Sequence, residues 1–239
     1  ISAALSVIFA RRGMRVLHVG CDPKSDSTIT ITGGDRPTTL LDLLSEGKPR
    51  PEESEYIVPG RLGIECVEAG GPEPGAGCGG RGIARMFELF QDIDLLGRRN
   101  YDVVMFDVLG DVVCGGFAAP LRYGFADRAF IVVSEEPLSV YAANNILRAL
   151  VTYSAHVVQL GGLIHNVSDD LSAANRLDRF AKAIGGGVTG TVPRDSAIQE
   201  AELEYLTAAD LDPESDTVAA LNRLADSVLA SFEQDQPLP

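Results

Sequence analysis

The stretch Phe106–Gly116, FDVLGDVVCGG, places two carboxylates and a thiol within one short loop. The apolar run YDVVMFD leads into it and ends on Asp107, which is followed by Gly110 and Asp111. An apolar strand that ends in Asp-x-x-Gly is typical of proteins that hydrolyse nucleotides, because a carboxylate can bind Mg²⁺ beside the phosphates. We expect Asp107 to bind Mg²⁺ and Gly110 to sense the terminal phosphate. Asp111 is expected either to orient the attacking water or to cap the next turn.

Two cysteines lie in glycine-rich settings. Cys114 belongs to the loop above, and Cys78 lies in GGPEPGAGCGGRG. Glycine lets the backbone approach an anionic ligand closely, and a thiolate-bound iron–sulfur cluster is such a ligand. Two cysteines cannot complete a four-thiolate site, but two chains related by a two-fold axis supply four. The other two cysteines, Cys21 and Cys66, are expected to be small buried hydrophobic residues.

Polar segments also follow other predicted strands. RVLHVG leads into Cys21–Thr28, CDPKSDST; LGGLIHN ends at Asn166; and GVTGTVP leads into Val192–Glu202, VPRDSAIQEAE. The carboxyl ends of parallel strands meet at one edge of a sheet, where α/β proteins bind their ligands. The sequence therefore predicts a nucleotide at this edge.

The elements that would position these residues alternate between strand and helix. Predicted strands cover residues 15–20, 101–107, 128–134, 160–166 and 187–193. Predicted helices cover residues 1–13, 38–44, 81–97, 138–154 and 172–185, and most of the remainder up to the tail QDQPLP. This order predicts a single α/β domain over residues 1–239, of the P-loop NTPase type, with a mostly parallel sheet and helices on both faces.

A phosphate-binding loop of the form G-x-x-x-x-G-K-[ST] should connect a strand to a helix. The chain contains only one Gly-Lys pair, Gly47-Lys48, and Pro49 follows it. The first helix starts at Ile1 with no strand and no capping residue before it. We therefore expect the N-terminal strand and its phosphate-binding loop to be missing from this chain.

The composition excludes several classes of protein. A formal net charge of −14 argues against binding to nucleic acid or to an anionic membrane surface, since both require clustered Lys and Arg. No apolar run is long enough to span a bilayer, and no secretory signal is recognisable. Four cysteines without a CxxC pair do not form the pattern of a secreted disulfide framework. A cytoplasmic protein is expected.

Five long segments, in order along the chain, carry a specific resemblance. They are GCDPKSDST, GGPEPGAGCGGRGI, DVLGDVVCGGFA, YAANNI and VPRDSAIQEAE. Together they resemble the nitrogenase iron protein family, which includes the reductase components of nitrogenase, of dark-operative protochlorophyllide and chlorophyllide reductases, and of nitrogenase-like reductases. The similarity covers essentially the whole chain.

The resemblance implies a homodimer with one [4Fe-4S] cluster on its two-fold axis, held by Cys78 and Cys114 of each chain. It implies an oxidoreductase that binds and hydrolyses MgATP. Electrons would come from a low-potential donor such as ferredoxin or flavodoxin and pass to a larger nitrogenase-like catalytic component.

The same resemblance implies roles for individual residues. Asp22, Lys24 and Asp26 match the family's first switch, which senses phosphate and Mg²⁺, and Asp107, Gly110 and Asp111 match its second. Asp22, Lys24 and Asp111 are the residues expected to take part in hydrolysis. The positions around the nucleotide base and ribose are matched by Asn166, Pro193, Arg194, Asp195, Gln199 and Glu202. Arg81 matches an arginine of the docking face that some members regulate by ADP-ribosylation.

The segments do not all point to one branch of the family. GCGGRGI and PKSD resemble the chlorophyllide reductase branch, whereas GGPEPG, LGGLI and VPRDSAIQEAELEYLT resemble nitrogenase itself. SEEPLSVYAANNI matches neither closely. The alternative within the family is therefore the iron–sulfur ATP-binding subunit of a chlorophyllide or protochlorophyllide reductase.

Two alternatives belong to other classes. A partitioning or septum-site ATPase switch shares the predicted fold but carries no metal, and the glycine-flanked cysteines argue against it. A metal hydrolase is disfavoured because the histidines, His18, His156 and His165, form no H-E-x-x-H motif. His18 and His165 lie in predicted strands and are expected to pack in the core or at a strand end.

Overall fold

The computed structural model describes residues 1–71, 80–110, 119–153, 158–168 and 174–233. The strands in these ranges are β1 (Val16–Cys21), β2 (Val58–Pro59), β3 (Glu65–Glu68), β4 (Val103–Val108), β5 (Arg128–Val133), β6 (Gln159–Asn166) and β7 (Val188–Val192). The helices are α1 (Ser2–Arg11), α2 (Leu40–Ser45), α3 (Glu53–Tyr56), α4 (Gly80–Asp92), α5 (Leu95–Arg99), α6 (Ala119–Arg122), α7 (Pro137–Tyr153), α8 (Ala174–Ala183), α9 (Ser196–Leu203) and α10 (Asp216–Ser231).

The strands are mostly parallel, as the sequence predicts. Strand β1 pairs in parallel with β3 on one side and with β4 on the other, and the short β2 pairs antiparallel with β3. Strands β5, β6 and β7 form a second parallel group in that order. The carboxyl ends of β1, β4, β6 and β7 carry the polar segments described above.

Strand β1 shows how the sheet divides the core. Its residues alternate between two faces, as in any strand. Leu17, Val19 and Cys21 pack among the apolar residues of α2 and α4, whereas Val16 packs with α1 and α10. His18 lies on the same face as Val16 and is completely buried. This placement directs His18 Nδ1 towards Ser6 of α1 and His18 Nε2 towards Ser27 of the loop after β1.

A cleft separates the two groups of strands. Among the described residues, β4 pairs only with β1 and β5 pairs only with β6, so each has one unpaired edge. Residues of both strands line a cavity of about 1250 Å³, together with parts of α1 and α10. Every residue of β4 is only partly buried, whereas every residue of β1 is buried. The middle of the molecule is thus open where a parallel sheet is normally closed.

The structure differs from the sequence prediction in several details. The short elements β2, α3 and α6 were not predicted, and neither was β3, because GIECVEA is too short to be distinguished from any other apolar run. The single helix predicted over residues 81–97 is two helices, α4 and α5. Asp94 adopts a left-handed backbone conformation between them (φ 48°), which ends the first helix although the apolar pattern continues.

Candidate functional site

The loop after β1 is shaped by Asp22. Its carboxylate Oδ1 accepts a hydrogen bond from the backbone N–H of Lys24 at 2.8 Å, which is a tight local turn. The Lys24 ammonium lies 3.4 Å from Asp22 Oδ2, and 71% of the Lys24 side chain is exposed. The loop therefore presents a lysine to solvent on a fixed backbone.

The same loop is held at two further points. The Ser27 hydroxyl donates to Asp107 Oδ2 at 2.5 Å, and the Ser2 hydroxyl of α1 donates to Asp107 Oδ1 at 2.8 Å. Thr28 donates to Glu68 Oε1 twice, from its backbone N–H at 2.8 Å and from its hydroxyl at 2.7 Å. Asp107 belongs to β4 and Glu68 ends β3, so the loop is joined to the ends of both neighbouring strands.

Glu68 is a buried carboxyl group with an unusual environment. Its Oε2 has no hydrogen-bond partner, and a Cβ atom placed on Gly20 would lie 1.9 Å from it, so only glycine fits at that position. Burial raises the pKa of Glu68 to about 7, and the negative charges of Asp26 and Asp107 act in the same direction. The hydrogen bonds from Thr28 oppose this shift only in part.

The loop after β4 is described as far as Gly110. This glycine is exposed, and a Cβ atom there would meet only Ile146 Cδ1, at 3.9 Å, so its backbone is open to a ligand. Asp111, Cys114 and Cys78 lie outside the described residues, as does the side chain of Arg81.

The cavity between β4 and β5 is lined by some of the residues that the sequence predicts to bind the nucleotide. Its lining includes Asp26, Asp107, Gly110, Asn166 and Glu202. These residues come from the loop after β1, the end of β4, the end of β6 and helix α9. The predicted residues that do not line it are Asp22, Lys24, Pro193, Arg194, Asp195 and Gln199. Carboxylates, an amide and an open backbone thus converge at one edge, which suits Mg²⁺ and a polar ligand.

Asp195 has a structural role that is visible in the fold. It caps the N-terminus of α9, where its Oδ1 accepts from the backbone N–H of Ala197 at 3.0 Å. Its Oδ2 accepts from the Thr217 hydroxyl of α10 at 2.7 Å. The hydrogen bond from Thr217, together with that from Ala197, lowers the pKa of Asp195. Both carboxylate oxygens therefore stabilise the packing of α9 and α10.

A second polar network was not predicted from the sequence. Glu135 is 1% exposed and accepts hydrogen bonds from His165 Nε2 at 2.8 Å and from the Ser168 hydroxyl at 2.6 Å. Burial alone would raise the pKa of Glu135, but the hydrogen bonds from Ser168 and His165 outweigh it and lower the pKa to about 2. The network fixes the segment that contains Asn166. In the sequence, Glu135 lies in SEEP between β5 and α7, and acidic residues are mostly exposed, so no signal marked it as a buried carboxylate.

The remaining cysteines are buried, as predicted. Cys21 and Cys66 are both 0% exposed. Burial raises the pKa of Cys66 to about 12 and that of Cys21 well above its usual range, so both thiols stay protonated at neutral pH. Neither is suited to bind iron.

Within the described residues, no group of three or more His, Cys, Asp or Glu side chains is arranged to hold a metal ion. Within the same part of the chain, no helix combines the length and the apolar character needed to cross a membrane.

Solved structures with a similar fold include two MinD proteins. The cell division ATPase MinD of Pyrococcus furiosus has a TM-score of 0.73 at 20% identity, covering 96% of this chain and 91% of its own. The MinD protein of Pyrococcus horikoshii, solved with Mg-ADP, has a TM-score of 0.72 at 19% identity, covering 98% and 92%. Identities this low show the fold alone, and they confirm the predicted P-loop NTPase-like α/β fold.

The relatives found by sequence identify the family, which the fold alone does not. The nitrogenase iron protein 2 of Methanothermobacter thermautotrophicus is 44% identical over 225 residues, which are 94% of this chain and 83% of the relative. The nitrogenase iron protein of Methanospirillum hungatei is 40% identical over 242 residues, covering 100% and 85%. All residues from 1 to 239 match the family described as 4Fe-4S iron sulfur cluster binding proteins, NifH/frxC family. The chain therefore belongs to the NifH/frxC family of 4Fe-4S iron–sulfur cluster-binding proteins, which confirms the resemblance seen in its sequence.

Proposed function

We propose that this protein is the ATP-dependent reductase component of a nitrogenase or a nitrogenase-like enzyme. Two chains would share one [4Fe-4S] cluster and pass electrons from ferredoxin or flavodoxin to a larger catalytic component. The observation that carries the proposal is the course of the chain after β4. Asp107 and Gly110 line the cavity, and Cys114 follows Gly110 by four residues.

The nucleotide part of the proposal rests on the cavity. Asp107 and Asp26 offer carboxylate oxygens, which Mg²⁺ prefers as ligands. Gly110 offers an open backbone N–H to a terminal phosphate, and Asn166 and Glu202 offer polar groups to a base and a ribose. Asp22 and Lys24 lie on the loop that the Ser27–Asp107 hydrogen bond joins to β4. They are proposed to approach the phosphate when that loop closes, with Asp111 oriented towards the attacking water.

The iron–sulfur part rests on the elements that flank the two cysteines. Helix α4 begins at Gly80, two residues after Cys78, and α6 begins five residues after Cys114, at Ala119. The two helices are neighbours, and the rings of Phe87 and Tyr123 stack with their centroids 6.1 Å apart. Both cysteines are therefore tethered to adjacent elements, which fits a shared site. The cluster would supply a one-electron redox centre there.

The coupling between nucleotide and cluster would be short. A displacement of Gly110 on loss of the terminal phosphate would reach Cys114 through four residues of backbone. Order–disorder and positional changes of such loops are an established way to convert hydrolysis into movement. No long-range pathway through the fold is needed.

The open cleft supports the expected phosphate-binding segment. In the part of the chain that the structure describes, strands β4 and β5 each expose an unpaired edge to the same cavity. One further parallel strand placed there would pair with both edges and satisfy their backbone groups. Its carboxyl end would lie beside Asp107 and Gly110. We propose that a strand ahead of α1 occupies this place and brings the phosphate-binding loop to the nucleotide.

Anaerobic purification of the complete protein tests the cluster. We expect a brown dimer with about four irons per two chains, since one [4Fe-4S] cluster contains four irons and each chain would supply two of its four thiolate ligands. Cys78→Ala and Cys114→Ala should each abolish the iron, whereas the matched control Cys66→Ala should retain it. A colourless wild type without iron would contradict the proposal and support a metal-free partitioning-type ATPase.

A further inference from the structure

Three consecutive hydrogen bonds connect α1 to the end of β4 through a histidine of β1. The Ser6 hydroxyl of α1 lies 2.8 Å from His18 Nδ1, and His18 Nε2 lies 2.8 Å from the Ser27 hydroxyl. Ser27 in turn donates to Asp107 Oδ2 at 2.5 Å. A strand histidine thus stands between a helix and the two loops that we assign to nucleotide sensing.

The directions of these bonds follow from the number of protons available. A serine hydroxyl has one proton. Ser27 uses it to donate a hydrogen bond to the Asp107 carboxylate, which can only accept. His18 Nε2 must therefore carry a proton and donate it to the Ser27 oxygen. In a neutral ring Nδ1 then carries no proton, and it accepts a hydrogen bond from the Ser6 hydroxyl. One tautomer of His18, with the proton on Nε2, satisfies every bond in the row.

The surroundings keep the ring neutral. His18 and Ser6 are both 0% exposed, and burial lowers the pKa of His18 to about 4, although the charge of Asp107 opposes this shift. A buried histidine with two local bonds is usually a satisfied core residue. This one differs because its bond to Ser27 continues to Asp107, and Ser27 is the residue after Asp26.

We propose that His18 is a positioning residue that directs the Ser27 hydroxyl onto Asp107 and so couples the loop after β1 to the loop after β4. The inference rests on the proposed function, in which these loops sense MgATP. Ser2 holds the other oxygen of Asp107 at 2.8 Å, so the carboxylate is oriented from both sides. Each oxygen keeps a further lone pair for Mg²⁺ or its water.

The tautomer is tested directly by ¹⁵N NMR of the complete protein without nucleotide. The chain has three histidines, and His18→Gln assigns the signal. We expect a neutral ring protonated on Nε2 throughout pH 6 to 8. A ring protonated on Nδ1, or one that becomes charged in this range, would overturn the inference whether or not the protein hydrolyses ATP.

The coupling is tested by a double-mutant cycle on ATP hydrolysis. His18→Leu and Ser27→Ala should each raise the Mg²⁺ concentration for half-maximal hydrolysis by about tenfold, because each breaks the bond that orients Asp107. The double variant should be no worse than either single one. His18→Gln should restore most of the loss, since its amide N–H₂ can replace Nε2 as the donor.

The double-mutant cycle has a control variant, and each contradicting result points to a different part of the argument. Ser45→Ala, which removes an exposed hydroxyl of α2 bonded to its own helix, should leave the Mg²⁺ dependence unchanged. Additive effects of His18→Leu and Ser27→Ala would contradict the coupling. Absence of hydrolysis in the wild type would instead contradict the proposed function, and the tautomer would still be measured.

Discussion

At the scale of single residues, the chemistry of the site depends on buried polar groups that compositional reasoning does not find. Asp107 was predicted from the strand that precedes it. The sequence did not predict that Ser2 and Ser27 contact Asp107, or that His18 contacts Ser27. Serines in helices or loops and histidines in strands usually have no catalytic or binding role. Glu68 was missed for a similar reason, since it follows an apolar run too short to be recognised as a strand. Three-dimensional proximity, not sequence spacing, creates these contacts.

Glu68 gives a prediction for pH dependence. Its pKa in the folded protein, about 7, lies above the ordinary value of 4.5. The folded state therefore binds the proton more tightly, and this contribution to stability is complete below about pH 4.5 and is lost as the pH rises through 7. Glu68→Gln removes the titration. Relative to this variant, the wild type should lose about 3 kcal/mol of unfolding free energy between pH 4.5 and 8.

Urea unfolding of both proteins across that pH range measures the difference. The urea dependence should be the same for both, so that only the midpoint moves. A constant difference between wild type and Glu68→Gln would show that Glu68 titrates normally, and the prediction would then be wrong.

At the scale of elements, the alternating strands and helices were predictable and their connections were not. The five strands predicted from apolar runs are all present, with ends shifted by one or two residues. The break between α4 and α5 depends on the backbone of Asp94, and the pairing of β2 with β3 depends on a contact across the sheet. Neither leaves a clear trace in hydrophobic periodicity.

One ion-pair cluster fastens α1 to the rest of the fold. The Asp210 side chain is 8% exposed. Its carboxylate pairs with Arg11 of α1 at 2.5 Å and with Arg61, and it accepts a hydrogen bond from the Thr207 hydroxyl at 2.8 Å. Burial opposes ionisation of Asp210, but the hydrogen bonds from Arg61 and Thr207 lower its pKa. The cluster holds the start of the fold against the segment between α9 and α10.

Removal of the Asp210 carboxylate should lower the stability of the folded protein. Asp210→Ala leaves Arg11 and Arg61 without their carboxylate partner and should lower the unfolding free energy by about 2 kcal/mol, between the values for exposed and for buried pairs, because only the carboxylate is buried. The matched control is Asp226→Ala, which removes an exposed partner of Arg12 and should cost less than about 1 kcal/mol. Thermal or urea unfolding compares them, and equal losses would contradict the assigned role of the cluster.

At the scale of the whole molecule, the fold and the family are shown by independent observations. MinD proteins share the fold at 19–20% identity, so the fold alone does not distinguish an iron–sulfur reductase from a metal-free switch. The family match and the sequence similarity to nitrogenase iron proteins place the chain in the NifH/frxC family, and its function as a reductase stays a proposal. Cys78 and Cys114 lie outside the described residues, and their role as cluster ligands stays a prediction.

The central claim is that nucleotide and cluster are coupled through the loop after β4. Removal of iron by an Fe²⁺ chelator, followed with and without MgATP in the complete dimeric protein, measures that coupling. We expect MgATP to change the rate of iron removal by about fivefold or more, the range of typical coupling free energies. Asp107→Asn should abolish this change while the iron content is retained, and the control Asp226→Asn should keep it. A wild-type cluster whose iron is removed at the same rate with and without MgATP would contradict the account.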